Sequence, residues 1–348
     1  MVSRKSIRAI RIFKTLVINK MAKRGSKPLS QVLTDLSTAS HPALDDLRAL
    51  SGLSGKRLEE FSAGWSSLPA DRRLEIMTRL GALAEDTIEL NINAVSRAAL
   101  HDPDDRVRAI AIRNLWEDQE HDLIDSFLTF LTGDPSPEVR AAAAIALGVY
   151  VYLGEMEELP AEQNRRIEDT LLAVFNGNDT LEVRRRALES IGFSHRPEVA
   201  AAIDQAYASG DDLLRVSALF AMGRSLDRER WGDIVIDDLS HENPQVRFEA
   251  ARAAGELHLD EAVPALDELL NDADSEVQEM SIWSLGEIGD DEARQLLERR
   301  LETADEKLSS LIEDALAEAE LMDGITEIGL LDFGDDELDE DERKARLN

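Results

Sequence analysis

Hydrophobic positions recur along this chain with the spacing of one helix face, and the same pattern returns at a nearly fixed interval. In each copy an anchor residue is followed four and eight residues later by further apolar or small residues, which places all three on one side of an α-helix. The anchors are Arg72, Val107, Val139, Val183, Leu214, Val246, Val277 and Leu308, separated by 35, 32, 44, 31, 32, 31 and 31 residues. Periods of this length predict a solenoid of stacked helical units.

Small residues follow the helical pattern nine positions after most anchors. Glycine occupies this place at Gly81, Gly148, Gly192, Gly223, Gly255 and Gly286, and Trp116 and Ala317 are the exceptions. A residue without a Cβ atom either lets a neighbouring helix approach closely or ends its own helix. The sequence leaves these two roles open.

Aspartate, proline and arginine mark the start of the repeated helix. Asp134 can accept hydrogen bonds from the first amides of a helix, and Pro135 has the backbone angle that suits a helix entry. The residue after the anchor is Arg108, Arg140, Arg184, Arg215 or Arg247, and the residue six positions before that arginine is Asp102, Asp134, Asn178, Ser209 or His241. We predict a partly buried ladder in which these arginines bind aspartates and loop carbonyls, with the acidic partner lost in the later copies.

The pattern predicts two helices in each unit, A followed by B. The B helices are predicted at residues 71–84, 105–116 and 307–321, and from residues 137, 181, 213, 244 and 275 onward. The A helices are predicted at residues 42–69, with a break at Ser54-Gly55, and at 88–100, 122–132, 197–209, 228–240, 260–271 and 290–302. The 44-residue interval adds residues 149–166, either as a longer helix or protruding loop or as an elaboration that binds a partner.

The stretch DPSPEVRAAAAIALG, Asp134 to Gly148, resembles the second half of a HEAT repeat of the short, phycobilisome-lyase-like variety. The resemblance covers residues 42–321. It implies an all-α fold, a right-handed α-solenoid of about eight HEAT-like helix pairs, with the B helices lining the concave surface. HEAT arrays are mostly protein-binding scaffolds with a minority of enzymes, so the resemblance indicates the fold rather than the activity.

The ends of the chain differ from its body in charge. Residues 1–34 contain nine basic residues and no acid, and residues 35–322 form the predicted solenoid. The basic extension is either an interfacial arm, whose apolar residues could share one helix face, or a flexible or misassigned leader of a protein that starts at Met21. Those apolar residues are Ile7, Ile10, Phe13, Leu16 and Val17. Residues 323–348 form an acidic tail that is either solubilising or a short linear motif.

The net charge and the absence of cysteine exclude several classes of function. The chain carries a formal charge of −32, and residues 35–348 hold 71 acidic against 30 basic residues, a formal −41. Such a body should repel nucleic acid and anionic membranes, and no apolar run is long enough for stable membrane insertion. Without cysteine there is no disulfide, thiol nucleophile or cysteine-bound zinc, which fits a cytoplasmic protein.

Enzymes occur among proteins with this repeat, but this sequence lacks the functional residues of three such classes. Proteins similar to deoxyhypusine hydroxylase bind two irons through His-Glu pairs after the Val-Arg of several B helices, but here those places read Phe248-Glu249 and Arg185-Arg186. No residue matches a chromophore site of the bilin lyases, and DNA glycosylases of this type need an electropositive groove. We therefore expect no catalytic residue, no metal and no cofactor, with a bilin-lyase-like enzyme or enzyme accessory factor as the alternative.

The side of each B helix opposite the core gives the best indication of function. Residues two and six positions after the anchor lie about 180° from it, and in the fourth to seventh units they include aromatic and arginine side chains. The predicted partner-binding residues are Arg185, Val216, Phe220, Phe248, Arg252 and Trp283. This composition is typical of a binding hot spot for a peptide or helix with apolar and acidic groups, unless neighbouring helices bury the aromatic rings. The sequence therefore favours a non-enzymatic interaction scaffold or adaptor of unknown oligomeric state.

Overall fold

The structure, a computed structural model, describes residues 27–87 and 89–327, with the backbone alone for residues 321–327. This part of the chain contains eighteen α-helices, one short 3-10 helix and no β-strand. The helices divide between two compact units, Met1–Asp204 and Gln205–Asn348. The predicted all-α fold class is therefore confirmed.

The first unit is a stack of paired helices. Its helices are α1 (Leu29–Thr38), α2 (Leu44–Arg48), α3 (Gly55–Trp65), α4 (Ala70–Asp86), α5 (Asn93–Ala99), α6 (Asp105–Arg113), α7 (Leu123–Gly133), α8 (Pro137–Glu155), α9 (Ala161–Phe175) and α10 (Leu181–Ile191), and α11 (Pro197–Tyr207) begins in it. The B helices α4, α6, α8 and α10 pack each against the next, and α5, α7 and α9 pack against the B helix that follows them. The predicted break at Ser54-Gly55 separates α2 from α3.

The second unit repeats the same arrangement. Its helices are α12 (Asp212–Ser225), α13 (Arg228–Asp238), α14 (Pro244–Glu256), a 3-10 turn (Asp260–Ala262), α15 (Val263–Leu269), α16 (Ser275–Ile288), α17 (Asp291–Leu301) and α18 (Glu306–Glu327). The B helices α12, α14, α16 and α18 pack in sequence, and α13, α15 and α17 pack against the following B helix. Predicted and observed helix starts agree within a few residues.

The core of each unit is built from the anchor rows. In α8 the side chains of Val139, Ala143 and Leu147 are buried, and Val246 and Ala250 are buried at the same places in α14. Because residues four and eight positions apart lie on one helix face, this face meets the neighbouring helices and loses its contact with water. The burial of apolar surface supplies the main stabilising free energy of the stack.

The glycine row lies where consecutive B helices are closest. A Cβ atom on Gly255 would lie 2.9 Å from Ser284 Cα, and one on Gly148 would lie 3.3 Å from Ser190 Cα. Both glycines stand inside their helices, and only Gly192 caps one, at the end of α10. Close approach is therefore the role of the row in α8 and α14.

The long interval between the third and fourth anchors is mainly helical. Helix α8 has 19 residues and reaches Glu155, and α9 follows from Ala161. Tyr150 is buried near the end of α8, and its hydroxyl donates to the carbonyl of Glu120 at 3.1 Å. The extra residues thus extend a helix and add a connection, as one of the two sequence interpretations expected.

The predicted boundaries at both ends fall inside helices. Helix α1 crosses the boundary after residue 34, because Leu29, Val32, Leu33 and Leu36 form a buried apolar face. Helix α18 continues to Glu327, past the predicted boundary at residue 322. Most of the predicted basic extension, residues 1–26, and of the acidic tail, residues 328–348, lies outside the described residues.

Arginines join consecutive repeats as the sequence predicted. Arg108 Nη1 donates to the carbonyl of Asp102 in its own repeat at 2.9 Å, and Nε and Nη2 both donate to the Asp134 carboxylate of the next repeat at 2.9 Å. Arg140 binds the Asp134 carbonyl at 2.7 Å and the Asp179 carboxylate at 2.7 and 2.8 Å in the same way. Each guanidinium therefore ties one loop to the next with charge-assisted hydrogen bonds.

The expectation that the acidic partners disappear in the later repeats was wrong. Arg215 binds Asp238, and Arg247 donates to the Asp272 carboxylate at 2.7 and 2.8 Å. In each case the carboxylate comes from the next repeat. Asp272 lies six residues before Gln278, the residue that follows the next anchor, whereas Asp238 lies nine residues before Arg247. The fourth copy departs from the rule, because Arg184 Nε donates to the Phe175 carbonyl at 2.7 Å.

Candidate partner-binding surface

Five of the six predicted binding residues lie on adjacent B helices of the second unit. Val216 and Phe220 stand one turn apart on α12, Phe248 and Arg252 one turn apart on α14, and Trp283 lies on α16. Residues four apart on a helix share a face. We call this set, with Arg224, the aromatic–arginine surface.

Phe220 is the centre of this surface. The guanidinium carbon of Arg252 lies 4.0 Å from the centroid of its ring, and that of Arg224 lies 4.4 Å from it. Arg252 Nη2 also donates to the Phe220 carbonyl at 3.3 Å. Two cations therefore hold one ring in place through cation–π attraction.

Trp283 is the most exposed member of the surface. It retains 38% of its accessible area, whereas Val216, Phe220, Phe248 and Arg252 are half-buried. Its Cζ3 atom lies 3.0 Å from the position that a Cβ atom on Gly255 would occupy, so the ring lies against the backbone of α14. A side chain at position 255 would therefore displace the tryptophan ring.

The arginine at the centre is already paired with two glutamates. Arg252 Nε donates to Glu249 and Nη1 donates to Glu256, one turn before and after it on α14. The Arg252 and Glu249 side chains are only 13% and 9% exposed, so both charges of this pair are largely removed from water. Sequence reasoning found Arg252 but missed these two partners, although their spacing of three and four residues on one helix could have indicated them.

Glu256 has an unusual environment. Burial raises the pKa of its carboxyl above the ordinary value of 4.5, against the opposing attraction of Arg252 and Arg224. Its Oε2 atom is buried and has no hydrogen-bond partner among the described residues. Gly223 leaves room for this oxygen, because a side chain there would collide with it. The aromatic–arginine surface and its ion-pair partners carry two positive and two negative formal charges, on Arg224, Arg252, Glu249 and Glu256.

Arg185, the sixth predicted residue, lies on α10 of the first unit. Its side chain is 11% exposed, and Nη1 donates to Glu182 on the same helix at 3.3 Å. Glu189 lies 3.7 Å from Nη2. Arg185 is therefore part of an ion-pair cluster on its own helix, a feature that the charge pattern of Leu181–Ile191 suggests.

The first unit exposes apolar side chains that the sequence reasoning did not select. Trp116 is 57% exposed and Ile145 is 50% exposed, and both line an apolar pocket between α6 and α8. Ile145 belongs to the row six positions after the anchor, so the row itself marked it. Trp116 occupies the place where most repeats have glycine, and this departure was the available signal.

Two histidines, His241 and His258, lie close to backbone polar atoms near helix ends. His241 Nδ1 accepts a hydrogen bond from the Asn243 amide at 3.0 Å, before the start of α14, and His258 Nδ1 lies 2.8 Å from the Glu287 carbonyl. Within residues 27–87 and 89–327, no group of three or more histidine, aspartate or glutamate side chains is arranged to hold a metal ion. In the same part of the chain, every helix is too short or too polar to cross a membrane.

Comparison with known proteins identifies the repeat. Residues 93–161 and 233–317 match the family model described as HEAT repeats. The solved structure of YibA from E. coli is 16% identical and covers 77% of this chain and 98% of its own, with a TM-score of 0.39. Human deoxyhypusine hydroxylase in complex with glycerol is 20% identical over 79% and 98% of the two chains, with a TM-score of 0.33. An engineered protein is 18% identical over 84% and 88%, with a TM-score of 0.37.

A search of curated proteins finds no match to this sequence. The family match covers parts of both units, at the positions where the structure has A and B helices in alternation. The Val-Arg anchors, the packing of B helix on B helix and the family match together show that residues 93–161 and 233–317 of this chain form HEAT repeats.

Proposed function

We propose that this chain is a non-enzymatic cytoplasmic adaptor that binds a peptide or helix of a partner protein on the aromatic–arginine surface. The observations that support the proposal are the Arg252–Phe220 pair and the exposed Trp283 ring, which lies against Gly255 of the helix that carries Arg252. Tryptophan and arginine are enriched at the centres of binding interfaces, where they supply most of the binding energy. HEAT repeats are used as scaffolds more often than as enzymes, which agrees with this assignment.

The surface favours a partner that is chiefly apolar and carries an acidic group. Phe220, Phe248 and Trp283 offer ring faces and edges that an apolar side chain can cover. A carboxylate of the partner would compete with Glu249 and Glu256 for the guanidinium of Arg252, so it contributes orientation more than affinity. The formal charge of −32 on the whole chain opposes nucleic acid as the partner.

The proposal is tested by affinity capture from native lysate with the unaltered chain and the variant Phe220→Ala/Phe248→Ala/Trp283→Ala. The matched control is Leu213→Ala/Leu226→Ala, which removes two exposed leucines of the same unit, 41% and 67% accessible, outside the surface. We expect one protein to be captured by the unaltered chain and by the control and to be lost, by at least about tenfold, with the triple variant. Equal recovery with all three chains, or capture of a pigment or metal, would refute the proposed site.

A further inference from the structure

Trp116 and Ile145, two exposed apolar side chains of the first unit, line a pocket. It has a volume of about 110 Å³ and is formed mainly by residues of α6 and α8. Trp116 and Ile145 stand at its mouth, and Tyr150 and Phe127 are buried beneath them. An apolar surface that remains open to water at the junction of two helices is typical of a docking site.

An acidic cleft adjoins this pocket, and Asp118 lines both. The cleft has a volume of about 980 Å³, and its walls include Glu120, His121, Asp122 and Glu158. Arg97 binds Asp118 at 2.7 and 3.0 Å and Asp122 at the same two distances, and it contributes the one basic side chain among the lining residues. The lining residues include four acids and one arginine, a formal charge of −3 summed over these side chains with His121 neutral.

A segment that fits both features must be apolar on one side and basic on the other. Residues 4–17 of this chain have that composition. Their basic residues are Arg4, Lys5, Arg8, Arg11 and Lys14, and their spaced apolar residues are Ile7, Ile10, Phe13, Leu16 and Val17. We infer that residues 4–17 dock on the first unit of the same chain, with the apolar side chains on the Trp116–Ile145 pocket and the basic side chains along the acidic cleft.

The chain connection allows this docking. The described residues begin at Lys27, whose Nζ atom donates to Asp46 of α2 at 2.9 Å. Asp46 is six residues from Gly52, which lines the cleft, so their Cα atoms are at most about 20 Å apart. Residues 18–27 can span about 33 Å when extended, which is enough to bring residue 17 to the cleft.

The complementarity of charge makes the inference specific to this segment. Residues 1–34 hold nine basic residues and no acid, whereas the rest of the chain has a formal charge of −41. The acidic tail would be repelled by the cleft, although its composition also includes apolar residues. Because the pocket and cleft lie in the first unit, this inference does not depend on the aromatic–arginine surface of the second unit.

The test measures a distance between two spin labels on the full chain. The protein has no cysteine, so Thr15→Cys/Gln119→Cys provides one labelled pair, with Gln119 exposed at the cleft. Docking predicts a single narrow distance distribution in double electron–electron resonance. Addition of unlabelled chain in tenfold excess should leave this narrow distribution unchanged. If the narrow distribution disappears, the segment docks onto a second copy and the inference is overturned.

Two variants distinguish the effect of apolar contacts on docking from the effect of added negative charge. Ile10→Glu/Phe13→Glu should remove most of the narrow component, and Val2→Glu/Ser3→Glu, which adds the same charge outside the apolar pattern, should retain most of it. Trp116→Ala/Ile145→Ala should also remove most of it, and the fold should persist because both side chains are at least half exposed. A broad distribution in the unaltered pair, or equal losses with both glutamate variants, would overturn the inference.

Discussion

Replacing Asp102 by alanine leaves the buried side chains of Arg73 and Trp65 without their acceptor. The Asp102 side chain is inaccessible to solvent and accepts from Arg73 Nε and Nη2 at 2.7 and 2.8 Å. It also accepts from Trp65 Nε1 at 2.8 Å, and its Oδ1 atom accepts from the Asp104 amide at 3.0 Å. One carboxylate therefore joins α3, α4 and the loop before α6.

The expected loss follows from the burial of Arg73. Its side chain is only 6% exposed, so the guanidinium cannot recover its hydration when the carboxylate is removed. Breaking a buried ion pair from one side costs about 3 to 5 kcal/mol, most of it from the charge left unpaired. The Arg73→Met/Asp102→Ala double variant should lose less than Asp102→Ala alone, because it removes that charge as well.

Native-state hydrogen exchange read by mass spectrometry is the appropriate assay. Repeat arrays need not unfold in one step, so a measurement resolved by segment is better than a single midpoint. We expect the free energy of opening to fall by about 3 to 5 kcal/mol in α3 and α4. The amides of α14 and α16, in the other unit, should be unchanged.

Asp71→Ala is the matched control. Asp71 accepts from Arg106 at 2.9 Å, but the two side chains are 88% and 45% exposed, so water screens the pair. Its removal should cost less than about 1 kcal/mol. Similar losses for Asp71→Ala and Asp102→Ala would refute the argument that burial makes the Arg73 pair important.

Two further predictions concern packing and acid stability in the stack. Gly255→Ala should lower the free energy of unfolding by about 1 to 3 kcal/mol, because its Cβ atom would lie 2.9 Å from Ser284 Cα. The control Gly133→Ala, whose Cβ atom would have no other atom within 4 Å, should leave the free energy of unfolding unchanged or raise it by up to about 1 kcal/mol. Thermal melting followed by circular dichroism compares the two variants. Hydrogen bonds from Arg247 lower the pKa of Asp272 below its ordinary 3.8, so this group stabilises the fold above that pH and the contribution is lost as the pH falls through the lower folded-state pKa. Asp272→Asn should therefore make the unfolding free energy depend less on pH below 3.8, measured by urea unfolding; an unchanged slope would contradict this.

The arginine ladder shows how far sequence reasoning reached. The position after the anchor correctly selected Arg108, Arg140 and Arg247 as residues that bind loop carbonyls and carboxylates. It missed Asp179 and Asp272 as the acceptors, because they belong to the next repeat, 39 and 25 residues after Arg140 and Arg247. Pairing over such separations depends on how the repeats stack rather than on spacing along one helix.

The aromatic–arginine surface also combines features that helical periodicity predicts with features that depend on how the helices pack. Helical periodicity placed Val216 with Phe220 and Phe248 with Arg252, because four residues make almost one turn. It could not give the 4.0 Å approach of Arg252 to the Phe220 ring, since these residues are on different helices. Nor could it give the exposure of Trp116 and Ile145, which depends on what the neighbouring helices leave uncovered.

The sequence by itself determined most of the helices, their pairing into repeats and the resemblance to HEAT repeats, because these follow from local spacing, helix-start residues and a fixed period. It did not predict α1 or α9 as separate helices. The tertiary structure decided that glycines such as Gly255 serve close helix contact, that Arg252 is shared between Glu249 and Glu256, and which apolar side chains stay in water. The physical reason is that periodicity fixes a residue's direction relative to its own helix axis. Its burial, charge partners and distance to other side chains depend on the position of the next helix.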